Sequence, residues 1–386
     1  GCPIVTLAVG PQYGFGLYVH WPYCARICPY CDFNVYAAKD RDTAPLLDAI
    51  IDDIRAHRTR LPDHPPLDSI FLGGGTPSLL SSDEMSRIIE VANDAFGLAQ
   101  GVEITLESNP NDVLRDDPAD WARAGINRVS LGIQSLQDDA LSFLGRDHDG
   151  ATAKQAIERA QATFENLSID LIYARPDQSP EAWAKELREV LELGAPHLSL
   201  YELTIESRTA FGKRAARGDL APMPDDDQAD LYELTQSICA AHGLDTYEVS
   251  NHAVSARHES RHNHIYWASG DWIGVGPGAH GRLTVNGKRL ATEAARRPED
   301  YLSASGPTDS SLSRIDTARE YLAMALRPVS GLDLNRFEAL FGQGPDESFL
   351  DQMREQSLAV VQDHQLKLTA QGRLMADYIA GQLSPY

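Results

Sequence analysis

Gly16-Leu17-Tyr18-Val19-His20-Trp21-Pro22-Tyr23-Cys24-Ala25-Arg26-Ile27-Cys28-Pro29-Tyr30-Cys31-Asp32-Phe33 is the stretch on which the reading of this chain turns. An apolar run, Leu17–Trp21, leads straight into a loop with the spacing Cys24-x-x-x-Cys28-x-x-Cys31. Three of the five cysteines therefore crowd into one short loop. That is too few for a disulfide scaffold in a chain of this length and points to metal binding.

Three thiolates on one loop can hold three corners of a [4Fe–4S] cubane, leaving the fourth iron without a protein ligand. An open iron suits S-adenosylmethionine (SAM), whose amino and carboxylate groups can chelate it. One electron from the cluster then cleaves a C–S bond and gives an adenosyl radical. Tyr30 and Phe33 flank the thiolates and are expected to limit solvent access, which tunes cluster potential. The competing reading is a structural zinc site completed by His20, although zinc knuckles usually pair ligands across two separated turns. Cys239 reads as a buried apolar residue of a helix and Cys2 as incidental.

Outward from the loop, short apolar runs alternate with amphipathic stretches. Strands are expected at Leu17–Trp21, Ser69–Leu72, Val102–Leu106, Arg128–Leu131, Leu167–Ile172 and His197–Tyr201. Helices are expected at Thr43–Arg60, Asp83–Phe96 (capped by Ser82 or Asp83), Asp117–Ala124, across Asp138–Phe164, and at Pro180–Leu193. Repeated β-α units imply a parallel sheet with right-handed crossovers, curled into a partial (β/α)6 barrel or an open twisted sheet. Ligands of such sheets sit at the carboxyl ends of the strands. The chemistry-bearing residues fall there. The cysteines follow strand one and Gly73-Gly74-Gly75-Thr76-Pro77 follows strand two; Glu107 ends strand three, Gln134 ends strand four, and Asp170 lies near the end of strand five.

Beyond Thr204 the pattern changes. A helix is expected over Gln228–Ala241 and a strand over Asp245–Val249. Residues 251–282, rich in His, Trp, Tyr and Gly, read as a site-forming loop and a glycine-rich turn. From about Ser311 the chain reads as helical, ending in a strand (Gln365–Leu368) and a helix (Ala370–Leu383), a small helical or winged-helix-like appendix. The expected domains are a tail (1–13), the partial barrel (14–210), a barrel-completing segment (211–290) and a C-terminal domain (291–386).

The glycines permit close backbone approach, and their exposed N–H and C=O groups can grip the amino end of SAM. Glu107 can bind ribose hydroxyls or an amino group, Gln134 can donate and accept, Arg146 can pair with a carboxylate, and Asp170 can bind the ribose. For each of these singly, a turn, a helix cap or a surface salt bridge is the commoner role; their shared edge favours function.

With 42% hydrophobic and 23% charged residues, the composition is that of a globular protein. The net charge of -22 excludes a phosphate-backbone partner, which it would repel. There is no apolar run of membrane-spanning length and no signal-peptide pattern, so a cytoplasmic, reducing location is expected.

The glycine–cysteine stretch quoted above, Phe71-Leu72-Gly73-Gly74-Gly75-Thr76-Pro77-Ser78, Ile169-Asp170-Leu171-Ile172-Tyr173 and Leu200-Tyr201-Glu202-Leu203-Thr204-Ile205-Glu206 together resemble the oxygen-independent coproporphyrinogen III oxidase family of radical SAM proteins. The oxidases carry a further cysteine two residues after the third and a longer N-terminal extension. Phe33 stands at that position here, as in the HemW-type haem chaperones, and a short segment precedes the loop. Arg261-His262-Asn263-His264-Ile265-Tyr266-Trp267 resembles the His-Asn-x-x-Tyr-Trp haem motif of that branch, and Arg319–Arg327 is similar to it too.

The resemblance implies SAM contacts at Tyr18, Gly74, Gly75, Thr76, Glu107, Gln134, Arg146 and Asp170, with weaker carry-over at Tyr201, Thr204 and His280. It also implies haem as cargo with His262 as ligand. His258 and His264 compete for that role, as does His252, which stands where the family has phenylalanine and otherwise reads as a solvated loop residue. From chemistry alone, His262 and Asn263 would simply hydrogen-bond a tight loop. Recipients would be haem proteins, membrane respiratory enzymes among them, and the chain a monomer or a dimer. Ala174-Arg175-Pro176-Asp177 departs from the family's Gly-Leu-Pro-Gly. The change stiffens the turn and offers an arginine to the site or to a haem propionate. The alternative to a carrier is the oxidase itself, decarboxylating propionates to vinyl groups.

Overall fold

The computed structural model describes residues 8–38 and 42–384, so Cys2 lies outside the described residues. Six strands follow one another in the sheet in chain order: β1 (Phe15–Trp21), β2 (Leu67–Gly74), β3 (Leu98–Ser108), β4 (Arg128–Gln134), β5 (Asn166–Tyr173) and β6 (His197–Glu202). Every adjacent pair is parallel. Parallel sheets have both faces covered, which makes their strands near-continuous apolar runs. Accordingly Leu17, Val19, Ile70, Leu72, Leu106, Val129, Leu131, Ile169, Leu171 and Leu198 form one core.

The helices between them are α1 (Ala44–Arg60), α2 (Ser82–Phe96), α3 (Pro110–Arg115), α4 (Pro118–Ala124), α5 (Asp138–Phe143), α6 (Gly150–Gln161) and α7 (Pro180–Glu192). The cap of α2 is Ser81, one residue earlier than expected. Its hydroxyl accepts from Glu84 N–H, and the Glu84 carboxylate accepts from Ser81 N–H; a glutamate at N3 favours this reciprocal bond. The expected single helical region over 138–164 is broken into α5 and α6. At the break Gly145 has φ +69°, and a Cβ there would lie 2.6 Å from Pro29 Cδ, so the cysteine loop packs on the interruption.

The segment read as an aperiodic loop holds regular structure: β7 (Asn251–Ala253), α9 (Arg261–Trp267), β8 (Asp271–Val275) and β9 (His280–Val285), preceded by α8 (Asp225–Ala241). A seven-residue helix is too short to show a 3.6-residue period, and β8, buried on both faces, shows no alternation. β8 is a seventh parallel strand, on the other side of β1. β9, β10 (Lys288–Glu293) and β11 (Thr308–Ser311) extend the sheet antiparallel, while β7 lies antiparallel to β6. Only Asp245–Thr246 of the strand expected at Asp245–Val249 forms. The main sheet thus runs past residue 290 to Ser311.

A second core begins with α10 (Arg314–Ala325). Tyr321, Leu322, Phe337, Leu350, Leu366 and Ile379 pack in it beside a three-stranded sheet of Leu332–Asp333, Gln365–Leu368 and Ala359–Gln362. Helices on a small antiparallel sheet match the winged-helix-like expectation. Residues 8 and 9, read as tail, belong to this core: Val9 is buried in it, and Arg336 holds the Ala8 carbonyl at 2.9 and 2.7 Å.

The departure after β5 keeps the geometry of the glycines it lacks. Ala174 has φ +54° and Asp177 φ +61°. Arg175 turns inward rather than toward any ligand: it pairs with Glu186 at 2.7 Å and donates to the Ile172 carbonyl at 3.0 Å. A left-handed alanine costs about 1–2 kcal/mol, and glycine's extra chain entropy about 0.5–1 kcal/mol. Ala174→Gly is therefore expected to raise the unfolding free energy by about 0.5–1 kcal/mol. Denaturant unfolding of the two proteins measures this, and a loss of stability would contradict the left-handed turn.

Candidate active site

Tyr23–Cys24 pairs in parallel with Tyr36–Ala37, closing the cysteine loop on itself. The glycine run then locks it to the sheet. Gly75 N–H donates to the Trp21 carbonyl at 2.7 Å, and Thr76 N–H to the Tyr23 carbonyl at 2.8 Å. Gly74 N–H donates to Glu107 Oε2 at 3.0 Å. The N–H groups expected to face a ligand are thus spent within the protein, because the chain leaving β2 must cross directly over the end of β1. Gly74, at φ +108°, has no room for a Cβ, which would sit 2.6 Å from the His20 ring.

Cys24, Cys28 and Cys31 line a cavity of about 540 Å³ at the carboxyl ends of the strands. Tyr30, Gly74, Gly75, Thr76, Glu107, Gln134, Arg146 and Asp170 line it as well, so the structure brings together nearly the whole expected set. Two residues stand apart. Tyr18 lines a neighbouring cavity, with its hydroxyl 2.8 Å from His20 Nδ1. His262 is buried beneath β2 with both ring nitrogens engaged, Nδ1 with Ser69 Oγ and Nε2 with Tyr266 Oη, each at 2.7 Å. Its ring stacks on Phe71, and burial pushes its pKa down to about 3. An axial role for His262 would require breaking one of these bonds. His252 is neither solvated nor open: β7 buries it completely. His264 is held by Glu259 at 2.6 Å, and His258 lies against Ser255.

Within the cavity each polar group has a physical setting. Glu107 is half-buried on the cavity wall beside Asp170. Desolvation first, and the neighbouring carboxylate second, push it up to about 8 against the pull of the Gly74 N–H. Asp170 is raised by burial, although the Ser130 and Ser168 hydroxyls donate to it. Gln134 has φ +68° where the β4–β5 register shifts, and this bulge re-aims a strand-end side chain. Arg146 reaches Cys28 Sγ at 3.3 Å and the Gly132 carbonyl at 2.8 Å. Burial raises the Cys24 and Cys31 thiols, Cys31 to about 11. Tyr30 is half-buried beside the thiols, while Phe33 is 64% exposed at the cavity mouth.

Sequence reasoning missed the inner wall. Thr105, Arg128, Ser130, Ser199 and Asn251 also line the cavity. Their signal is polar side chains alternating in strands that should be apolar throughout, as in Thr105/Glu107, Arg128/Ser130 and His197/Ser199.

The residues fit a cluster and SAM. His20 does not serve as a metal ligand here: Nε2 donates to the Asn34 carbonyl at 2.9 Å, leaving Nδ1 to accept from Tyr18. Among the described residues no three His, Cys, Asp or Glu side chains converge as one ion requires, whereas a cubane gives each thiolate its own iron. Thr105 Oγ1, Arg146 Nε and Asn251 Oδ1 are buried on the cavity wall without a protein partner, which is the state of groups that await a polar ligand.

Comparison with known proteins agrees with this geometry. Residues 18–190 match the Radical SAM superfamily, and residues 312–375 match the HemN C-terminal domain. The Haemophilus influenzae protein named "Heme chaperone HemW" is 33% identical, over 93% of this chain and 94% of that one. This chain belongs to the HemW family of radical SAM proteins. The Escherichia coli HemW is 39% identical over 74% of this chain and 75% of its own. A Dictyostelium discoideum relative, "Radical S-adenosyl methionine domain-containing protein 1, mitochondrial", is 33% identical over 96% and 94%. In fold, the chain matches the E. coli coproporphyrinogen III oxidase with a TM-score of 0.80 at 22% identity, over 99% of this chain and 92% of that one. Membership of this superfamily implies a [4Fe–4S] cluster and SAM.

Pushed up to about 8, Glu107 carries its proton at neutral pH before a ligand binds. A cationic ligand such as SAM is expected to draw that proton off, so its affinity should rise with pH up to about 8 and then level. Titration calorimetry in two buffers of different ionisation heat would show proton release at pH 7. Release should disappear in Glu107→Gln, and its persistence there would place the titrating group elsewhere.

Proposed function

We propose that this protein is a haem carrier: it binds haem, keeps a [4Fe–4S] cluster on Cys24, Cys28 and Cys31, and binds SAM beside it. The observation that carries the reading is Phe33, an exposed phenylalanine at the cavity mouth where the oxidases place a fourth cysteine. It stands in a chain with near-full-length relatives in Haemophilus influenzae and Bacillus subtilis that are named haem chaperones.

The cluster supplies an electron and an open iron for SAM. This chain's own residues then have separable tasks. Cys24, Cys28 and Cys31 hold the irons, and the Arg146 guanidinium, against Cys28 Sγ, offsets the negative charge the thiolates gain. Glu107 and the carbonyls of the glycine run accept from the N–H groups of the SAM amine. Asp170, fixed by Ser130 and Ser168, offers acceptors to ribose hydroxyls. Gln134 and Thr76 fill the remaining donor and acceptor positions. Tyr30 keeps water from the thiolates. The recipients would be haem proteins, membrane respiratory enzymes among them. Among the described residues no helix is long and apolar enough to cross a membrane.

The anaerobically reconstituted protein should bind haem stoichiometrically and pass it to an apo-haem protein. Given coproporphyrinogen III, SAM and reductant, it should make no protoporphyrinogen. Turnover to protoporphyrinogen would overturn the carrier reading in favour of the oxidase; absence of haem binding would overturn it outright.

A further inference from the structure

A second cavity of about 750 Å³ opens beside the first, and Cys31, Asp32 and Phe33 line both. Its far walls come from the β8–β9 edge of the main sheet and from α10 of the C-terminal unit, which contributes Glu320 and Met324. Tyr18 and His280, which the resemblance would give to SAM, stand on the wall of this space and not on that of the first cavity, and its volume lies in the range of cofactor-sized pockets.

Its chemistry is unusual for a chain of net charge -22. Four arginines line it: Arg208, Arg282, Arg289 and Arg296. Two are neutralised, Arg282 by a bidentate pair with Glu320 and Arg289 by Asp271. The other two are exposed. Arg208 has no ion pair among the described residues, and Arg296 has only a 3.4 Å contact through Nε to Glu293. The Arg296 carbonyl is pinned to the cysteine loop by Asn34 at 2.7 Å and Tyr36 at 3.2 Å. Apolar and aromatic side chains line the same cavity: exposed Phe33 and Met324, and the Tyr266–Trp272 pair, whose rings meet edge-on at 4.6 Å.

One histidine faces this space with its ring uncommitted. His280 has a half-exposed side chain (52%) whose Nε2 lies 3.9 Å from Glu293, too far for a hydrogen bond. The other histidine on the cavity wall, His20, has both ring nitrogens engaged. His280 is on the same side of β9 as Arg282, two residues on, and its carbonyl is held by Trp272 Nε1 at 3.0 Å.

We infer that this second cavity is the haem site, with His280 as the axial ligand and Arg208 and Arg296 as partners for the two propionates. The inference rests on the carrier reading and places its cargo. An imidazole is a natural ligand for haem iron, a guanidinium is the best match to a carboxylate, and the flat porphyrin lies against Phe33 and Trp272. Haem here would touch the loop that carries the cluster, so occupancy of one site would be felt at the other. His262 then acts from beneath, through Tyr266, as a positioning residue.

The test is a haem titration of the cluster-reconstituted full chain, followed by absorption in the Soret region, for wild type, His280→Ala, His280→Cys, His262→Ala and the double variant Arg208→Glu/Arg296→Glu. Loss of at least tenfold in affinity is expected for His280→Ala and for the arginine pair. His280→Cys should retain binding with a Soret band moved to a thiolate-ligated position, which a purely structural role would not produce. If wild type binds haem while both His280 variants keep its spectrum and affinity, this placement is wrong and the carrier reading stands. If wild type fails to bind haem, both fall.

Discussion

The site depends on one backbone contact, the Gly75 N–H on the Trp21 carbonyl at 2.7 Å. It exists because residue 75 has no side chain: a Cβ there would lie 2.8 Å from the Tyr23 carbonyl oxygen and 2.9 Å from both the Pro22 carbonyl carbon and the Trp21 oxygen. With that room, the chain leaving β2 lies directly on the strand end that launches the cysteine loop. Thr76 then binds Tyr23, Gly74 binds Glu107, and the β3 carboxylate is set beneath the thiolates. The other side of the loop is held by Pro29, which packs on Gly145 and accepts from Phe211 N–H at 2.9 Å. Cysteine spacing alone does not make a cluster site; two glycine-permitted contacts position it.

Legibility in the sequence followed the physics of each element. Six of the seven parallel strands were readable because strands buried on both faces are short apolar runs bounded by turns. The cysteine loop was readable because thiolate chemistry needs a fixed spacing. What escaped was short or reversed in sign. α9, one strand pair and the parallel β8 hide among His, Trp and Gly residues. Arg175 read as a reach toward ligand, but burial next to Glu186 was the better partner. His262 read as a haem ligand through resemblance, whereas its chemistry alone favoured a hydrogen-bonded interior residue, and that is where Ser69 and Tyr266 hold it. The inner wall residues Thr105, Ser130 and Ser199 were visible only as polar interruptions with a period of two.

Two adjoining cavities sharing Cys31–Phe33 give the molecule a simple logic. The first is dense in carboxylate, hydroxyl and amide groups, suited to a small polar cofactor. The second is wide, rimmed by arginines and floored by aromatic rings, suited to a flat dianionic cargo. Phe33, which cannot bind iron, is the boundary between them. α10 closes the second cavity, so the C-terminal unit takes part in the site.

The account stands on an iron left open for SAM beside three thiolates. Electron paramagnetic resonance of the singly reduced cluster, recorded with and without SAM, tests this most directly. A change of g-values on adding SAM, with three cysteine ligands retained, is the predicted result. A spectrum indifferent to SAM would mean that the fourth iron is already occupied and would contradict the account.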